Sequence, residues 1–303
     1  LKGINMSKNI EWVYWPDPKS VTNGMTNLEK FSSLYVQRKE KYPNYSPNES
    51  SMRVAQEIDE KGYAKVENFL SLELIDKINE KTQRILDDGN HPYNQNKISQ
   101  LDAKNTKPYI QVLQPLVSVP EMHEFVFNDF IIDIAGAYLD CFPAFGTCNL
   151  RKSFVNSLPE EGTQLYHVDP NSPRFLKFFV YLNDVDMDGG PFCYVEGSHK
   201  KKFEIDGVNW NNQYRWGVDA INEIYGEENV KYLTAKKGDL LVADTNGWHR
   251  GMKPVSNERT MLTLDYVCHD EDFDSSRRFQ FSKDEYNKLS DKHKQLCDFL
   301  KIV

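Results

Sequence analysis

Apolar positions change their spacing part-way along the chain, from a helical period to short alternating runs. In SLELIDKINEKTQRILDD, residues 71–88, the residues Leu74, Ile75, Ile78, Ile85 and Leu86 share one face at α-helical spacing. Ser71 stands where a side-chain oxygen caps a helix, and Gly89-Asn90 follow where the pattern stops. Ahead of it, GYAKVENFL (62–70) reads as a strand and residues 51–60 as a short helix. SVPEMHEFVFNDFIIDIAGAYL (118–139) predicts a helix whose wide apolar face is buried against a sheet or a second helix. A charged segment, 282–300, predicts a C-terminal helix.

From about 145 to 268 the texture is β. FGTCNLRKSFV, TQLYHV, FLKFFVYLND, GPFCYVEG, KYLTA, GDLLVAD and RTMLTLDYV are short aromatic and β-branched runs, punctuated by Gly or Asn-Asp. Such spacing predicts a mainly β protein with flanking helices, its core an antiparallel sandwich or jelly roll. FFVYL (178–182) is apolar at every position, so both of its faces are expected to be covered. One segment interrupts the roll, at about 200–229, and a connection of that length predicts an active-site lid with a helix. Residues 1–52 read as an arm with a helix near 28–40, and residues 1–5, ahead of Met6, as an appended remnant. Residues 53–303 are expected to form one domain.

Composition narrows the function classes. A net charge of −8 and a pI near 5.5 argue against a nucleic-acid or anionic-membrane partner, both of which require a basic face. No apolar run approaches a membrane span, and the first residues lack a secretory hydrophobic core. Cys141, Cys148, Cys193, Cys268 and Cys297 are odd in number, scattered and without a C-x-x-C pair, as in a reduced cytoplasmic chain. Oligomeric state is not encoded in any of these patterns.

The candidate chemistry begins at GTQLYHVDPN (162–171). His167 and Asp169, two apart at the end of a strand, project to the same side. With 7 His and 45 acidic residues, chance supplies about one such pair, and a second, His269-Asp270-Glu271, sits in an acidic loop. What separates them is a third donor. GDLLVADTNGWHRG supplies a strand, a turn and His249. Two imidazoles and a carboxylate form the facial triad of non-haem Fe(II) oxygenases, and nitrogen and oxygen donors without thiolate suit Fe(II) better than structural zinc. Across the turn GMKPVSNE, Arg259 opens an otherwise apolar strand. A buried guanidinium there needs a carboxylate, which a dicarboxylate co-substrate provides; on the rim it would merely reach water.

With these residues assembled, the chain resembles the phytanoyl-CoA dioxygenase (PhyH)-like family of Fe(II)/2-oxoglutarate oxygenases. The resemblance rests on TQLYHVD, FVYLNDVDMDGGPFCYVEGSHK and GDLLVADTNGWHRGMKPVSNER, with RVAQEIDEKGYAKVENFLSLELIDKI as the opening strand and helix, and covers roughly 53–268. It implies a double-stranded β-helix, Fe(II) held by His167, Asp169 and His249, and 2-oxoglutarate bound through Arg259. It also implies contacts of Gln164, and less directly Lys177, with the co-substrate, whereas His199 of the GSH turn is not a ligand. With 2-oxoglutarate and O2 as co-substrates, the implied reaction releases succinate and CO2 and oxidises an unactivated C–H. Related halogenases carry a small residue where this chain has Asp169, so its carboxylate implies hydroxylation, desaturation or ring closure instead.

Tyr166, Arg215 and Trp216, with Trp210 and Tyr214, surround the expected site or its lid and suggest a polar small metabolite as substrate. The two Trp residues equally suit packing of the lid onto the roll. No strong phosphate-binding motif supports a CoA ester, and Lys200-Lys201-Lys202 reads as a solvated turn. Two rival readings are a metal-dependent enzyme without redox chemistry, which leaves Arg259 unexplained, and a jelly roll that binds a ligand without catalysis.

Overall fold

A computed structural model describes residues 28–169, 174–201, 215–269 and 279–303. The strands are β1 (Tyr63–Val66), β2 (Tyr109–Val112), β3 (Ala144–Ser153), β4 (Phe175–Tyr181), β5 (Phe192–Val195), β6 (Val230–Leu233), β7 (Leu240–Ala243), β8 (His249–Gly251) and β9 (Arg259–Val267). Six of them form an antiparallel sheet in the order β1-β7-β4-β9-β3-β2. A second sheet, β6-β5-β8, faces it. Paired bridges at Tyr166–Trp216 and His167–His249 extend that smaller sheet beyond β8. The fold is a jelly roll with flanking helices, as the strand texture predicts.

The period-two alternation of β4 decides which residues meet which layer. Phe178 and Val180 point outward into the main core, with Leu150, Leu240, Val242, Leu262 and Leu264 from the same sheet. Phe179 and Tyr181 point inward with Phe192, Tyr194 and Leu241, between the sheets. Both faces of FFVYL are therefore covered. On the outer side lie α2 (Glu49–Lys61), α3 (Leu72–Asp87) and α4 (Asp129–Leu139), which bring Ile58, Ile75, Ile78, Ile131 and Ile134. Each such aliphatic side chain stabilises the fold by about 1.5–3 kcal/mol when fully buried. Ser71 caps α3 by accepting from the Leu74 N–H, as its position predicts.

Two helical expectations need correction. The 118–139 segment is not continuous: a 3₁₀ turn (Pro120–Met122) and a short helix (His123–Val126) precede α4, because Asn128 caps α4 afresh at the Phe130 N–H. The 282–300 segment is likewise broken, into Lys283–Lys288, Asp291–Lys294 and a 3₁₀ turn at Cys297–Phe299. Leu289 is extended and Ser290 caps the second piece, so no single helix forms. The chain then closes as a parallel pair of β10 (Gln280–Phe281) and β11 (Lys301–Ile302). The helix expected near 28–40 is present, and it packs against the rest of the chain. In α1 (Leu28–Lys41) Arg38 is fully buried, donating to the Phe142 and Pro143 carbonyls (both 2.6 Å) and to Asp298 (3.0 Å).

Of the expected lid, residues 202–214, which include Trp210 and Tyr214, lie outside the described residues. The remainder supplies Trp216 and α5 (Val218–Tyr225). All five cysteines are unpaired and buried, in accord with reduced thiols. Among the described residues no helix is long and apolar enough to cross a membrane.

Candidate metal centre

His167 and His249 are held by the backbone before any ligand is considered. The His167 N–H donates to the His249 carbonyl (2.9 Å) and the His249 N–H to the His167 carbonyl (3.0 Å). Asp169 N–H donates to the Thr245 carbonyl (2.9 Å), so the strand end 165–169 is stitched along the turn that leads into β8. Alternation then points His167 and Asp169 the same way, and one ligand atom from each of His167, Asp169 and His249 falls within 4.8 Å of the others.

The ring orientations are also fixed. His167 Nδ1 sits 2.8 Å from the Leu165 carbonyl and His249 Nδ1 2.9 Å from the Gly247 carbonyl. A carbonyl only accepts, so each Nδ1 carries a proton and each Nε2 is the ring nitrogen left for a metal. Those Nε2 atoms face Asp169, at 3.6 Å from Oδ1 for His167 and 3.5 Å from Oδ2 for His249. Burial, then the neighbouring His249, pulls the His167 pKa down to about 3 despite the Asp169 carboxylate, so the ring is neutral at physiological pH. Burial alone would raise Asp169, but Lys177 and then His249 hold it well below the usual carboxylate range. Two imidazoles presenting Nε2 and one carboxylate are the donor set that Fe(II) takes, with second partners already orienting the rings.

Arg259 is the second element. It is buried, and its Nη atoms donate to the Met252 carbonyl (3.2 Å) and Ser153 Oγ (3.4 Å). Its Nε is buried without a partner, and among the described residues no carboxylate lies within ion-pair distance. The guanidinium lies against β8, where a Cβ added to Gly251 would stand 3.1 Å from Nη2. A fully desolvated cation lacking an acid is unfavourable until a carboxylate arrives. The site therefore fits 2-oxoglutarate as well as the metal.

The other expected residues are placed differently. Lys177 faces acids: its Nζ is 2.6 Å from Asp169 Oδ2 and 3.7 Å from Asp265 Oδ1, because β4–β9 register sets it opposite Asp265. Gln164 is buried, but its side-chain oxygen accepts from the Glu161 N–H in a capping box, a structural task. Tyr166, one residue from His167, points to the opposite face and is buried with Val168, Cys193 and Trp248. Trp216 pairs with Tyr166 through the backbone and packs on the same cluster. Arg215 donates to the Gly162 carbonyl (2.6 Å) and lies near enough to His167 to disfavour its protonation. Of these, Lys177 and Arg215 stay beside the triad. His199 Nε2 sits 3.1 Å from the Asp59 carbonyl.

Sequence reasoning missed Arg151 and Ser153. Their signal was present in FGTCNLRKSFV, where alternation sets Asn149, Arg151 and Ser153 on one face, turned between the sheets.

Residues 58–261 match the family model described as phytanoyl-CoA dioxygenase (PhyH). Fold and site define an iron(II)- and 2-oxoglutarate-dependent oxygenase. The chain belongs to the phytanoyl-CoA dioxygenase (PhyH) family. Among solved structures it is similar to the epimerase SnoN in complex with Fe3+, α-ketoglutarate and nogalamycin RO, at 15% identity and a TM-score of 0.53, covering 72% of this chain and 83% of that one. EctD from S. alaskensis in its apoform is similar at 18% identity and a TM-score of 0.50, covering 78% and 80%. AviO1 from Streptomyces viridochromogenes Tue57 aligns at 15% identity and a TM-score of 0.50, covering 74% and 96%. At such identities the likeness is one of fold. No curated protein matches the chain.

Proposed function

We propose that His167, Asp169 and His249 hold Fe(II), that Arg259 and Ser153 receive the distal carboxylate of 2-oxoglutarate, and that the enzyme hydroxylates a C–H of a polar small molecule. The observation that carries this reading is the pair of Nδ1-to-carbonyl bonds, which fix both imidazoles with their Nε2 atoms beside one carboxylate. The metal and co-substrate together supply the oxidising chemistry, with release of succinate and CO2.

The chain's own residues do the rest. The Leu165 and Gly247 carbonyls keep the rings from rotating, so no reorganisation is needed when the metal enters. Lys177 holds Asp169 ionised and fixes its Oδ2 side. Arg259 offers planar, charge-assisted donors to a carboxylate, each bond contributing about 1.5–3 kcal/mol. The inner aromatic layer of Phe179, Tyr181 and Phe192 excludes water around these groups. Arg259, without an acid of its own, favours the co-substrate reading over a metal enzyme without redox chemistry.

The test is a panel of polar metabolites incubated with Fe(II), 2-oxoglutarate and O2, scored by succinate release coupled to substrate. The expected product carries one added oxygen atom. A chlorinated product contradicts the role given to Asp169, and turnover confined to acyl-CoA esters contradicts the substrate class.

A further inference from the structure

On the inner face of the larger sheet the adjoining strands β3, β9 and β4 carry three cations, Arg151, Arg259 and Lys177. Ser153 pairs with Arg259, Arg151 with Met261, and Lys177 with Asp265. Two of the three are accounted for. Lys177 faces the carboxylates of Asp169 and Asp265, and Arg259 awaits the co-substrate.

Arg151 has no such match. Its guanidinium carbon stands 3.9 Å from the centroid of the Tyr109 ring, stacked on that face. Nη1 donates to Thr163 Oγ1 and Nη2 to Gln111 Oε1, both at 3.3 Å, which are long contacts to neutral acceptors. Among the described residues no carboxylate lies within ion-pair distance of it. Burial depresses its pKa, with Tyr109 and Asp169 offsetting in part, which marks an under-compensated charge. The group nevertheless stays partly exposed, so a ligand can reach it.

Charge on the inner face points the same way. Asp169 and Asp265 leave one positive charge among the three cations uncompensated. A metal dication and a 2-oxoglutarate dianion cancel each other, so the loaded site keeps that surplus, and it resides on Arg151. We propose that Arg151, oriented by Tyr109, Gln111 and Thr163, is the anchor for a carboxylate on the substrate. The proposal rests on the reading above and narrows its substrate to monoanionic carboxylic acids. A single planar guanidinium with no lysine bonded beside it suits a carboxylate better than a phosphate dianion.

The experiment uses the full chain loaded anaerobically with Fe(II) and 2-oxoglutarate. Small carboxylic acids, their primary amides and the corresponding phosphate monoesters are screened by perturbation of the metal-to-ligand charge-transfer band. In the wild type, acids bind at least about tenfold tighter than their amides. In Arg151→Met that preference disappears while 2-oxoglutarate affinity stays within about threefold, and in Arg151→Lys it returns in part. Gln111→Leu, which keeps the charge but loosens its aim, weakens acids without affecting amides. The proposal is overturned if acids bind no better than amides, if nothing binds, or if phosphate esters alone respond. It is also overturned if Arg151→Met and Arg151→Lys both lose 2-oxoglutarate about tenfold or more, since Arg151 would then be a co-substrate clamp. Absence of the band in the wild type would instead defeat the underlying metal and co-substrate reading.

Discussion

His167 and His249, far apart in sequence, exchange both backbone hydrogen bonds and bring their ring centroids to 4.3 Å. The pairing makes the two imidazoles a single backbone-defined unit, with Asp169 closing the third side. His167→Ala or Asp169→Ala therefore reduces Fe(II) or Ni(II) affinity by more than the roughly 10–100-fold that loss of an outer partner costs. Competition against a coloured chelator measures it. Unchanged affinity in both variants would contradict the assignment.

Arg259 contributes charge to the co-substrate and none to the metal. Arg259→Met is expected to weaken 2-oxoglutarate binding by at least about tenfold, from the loss of a charge-assisted bond, while metal affinity is retained. Equilibrium titration of each ligand separates the two effects. Ser153→Ala moves the same way by less, because its hydroxyl contacts one Nη only.

Lys177 competes with a metal for Asp169. In the metal-free protein, Lys177→Met removes the ammonium that Asp169 and Asp265 share and destabilises the fold by about 3 kcal/mol. The same substitution raises divalent-metal affinity, because the carboxylate no longer has an ammonium bound at Oδ2. Denaturant unfolding and metal titration are expected to move in opposite senses, an outcome that a merely structural lysine would not give.

His167 also sets a pH dependence. The His167 pKa falls from 6.5 to about 3 on folding, so between those values the unfolded chain binds more protons than the folded one. This contribution is complete above pH 6.5 and is lost as the pH falls toward 3. One proton gives a slope of at most about 1.4 kcal/mol per pH unit. Asp169, held below its usual range, adds loss in the same direction at the acid end. Urea unfolding of metal-free protein across this range is expected to show the slope, and His167→Asn to flatten it.

Arg38 tests whether α1 belongs to the folded unit. Its buried guanidinium links α1 to the Phe142 and Pro143 carbonyls and to Asp298 near the C-terminus. Arg38→Ala strands those acceptors and is expected to cost about 3–5 kcal/mol. A change below about 0.5 kcal/mol, as at an ordinary surface position, would contradict that placement.

How much of this was legible in the sequence follows from the range of the forces involved. Alternation in FFVYL and the Ser71 cap are local, and both were readable. The triad was readable because His167 and Asp169 share a strand face and His249 ends a turn. The protein partners of Lys177 and Gln164, Asp265 and the Glu161 backbone, are not legible because register and a capping box set them. Alternation alone assigns Tyr166 to the face opposite His167, where it packs with Val168 and Trp248. Arg151 went unremarked because its lack of an acid is visible only once β2, β3 and the 162–164 turn come together. The breaks at Asn128 and Ser290 show two capping residues overriding helical periodicity.

The central claim is that the HVD stretch and His249 form an iron site that takes 2-oxoglutarate. The most direct measurement is anaerobic: Fe(II) and then 2-oxoglutarate are added to metal-free protein while the visible spectrum is recorded. The expected result is a metal-to-ligand charge-transfer band in the wild type that is absent in His167→Ala and needs a higher 2-oxoglutarate concentration in Arg259→Met. Iron bound by the wild type without any such band, or a band that persists in His167→Ala, would contradict it.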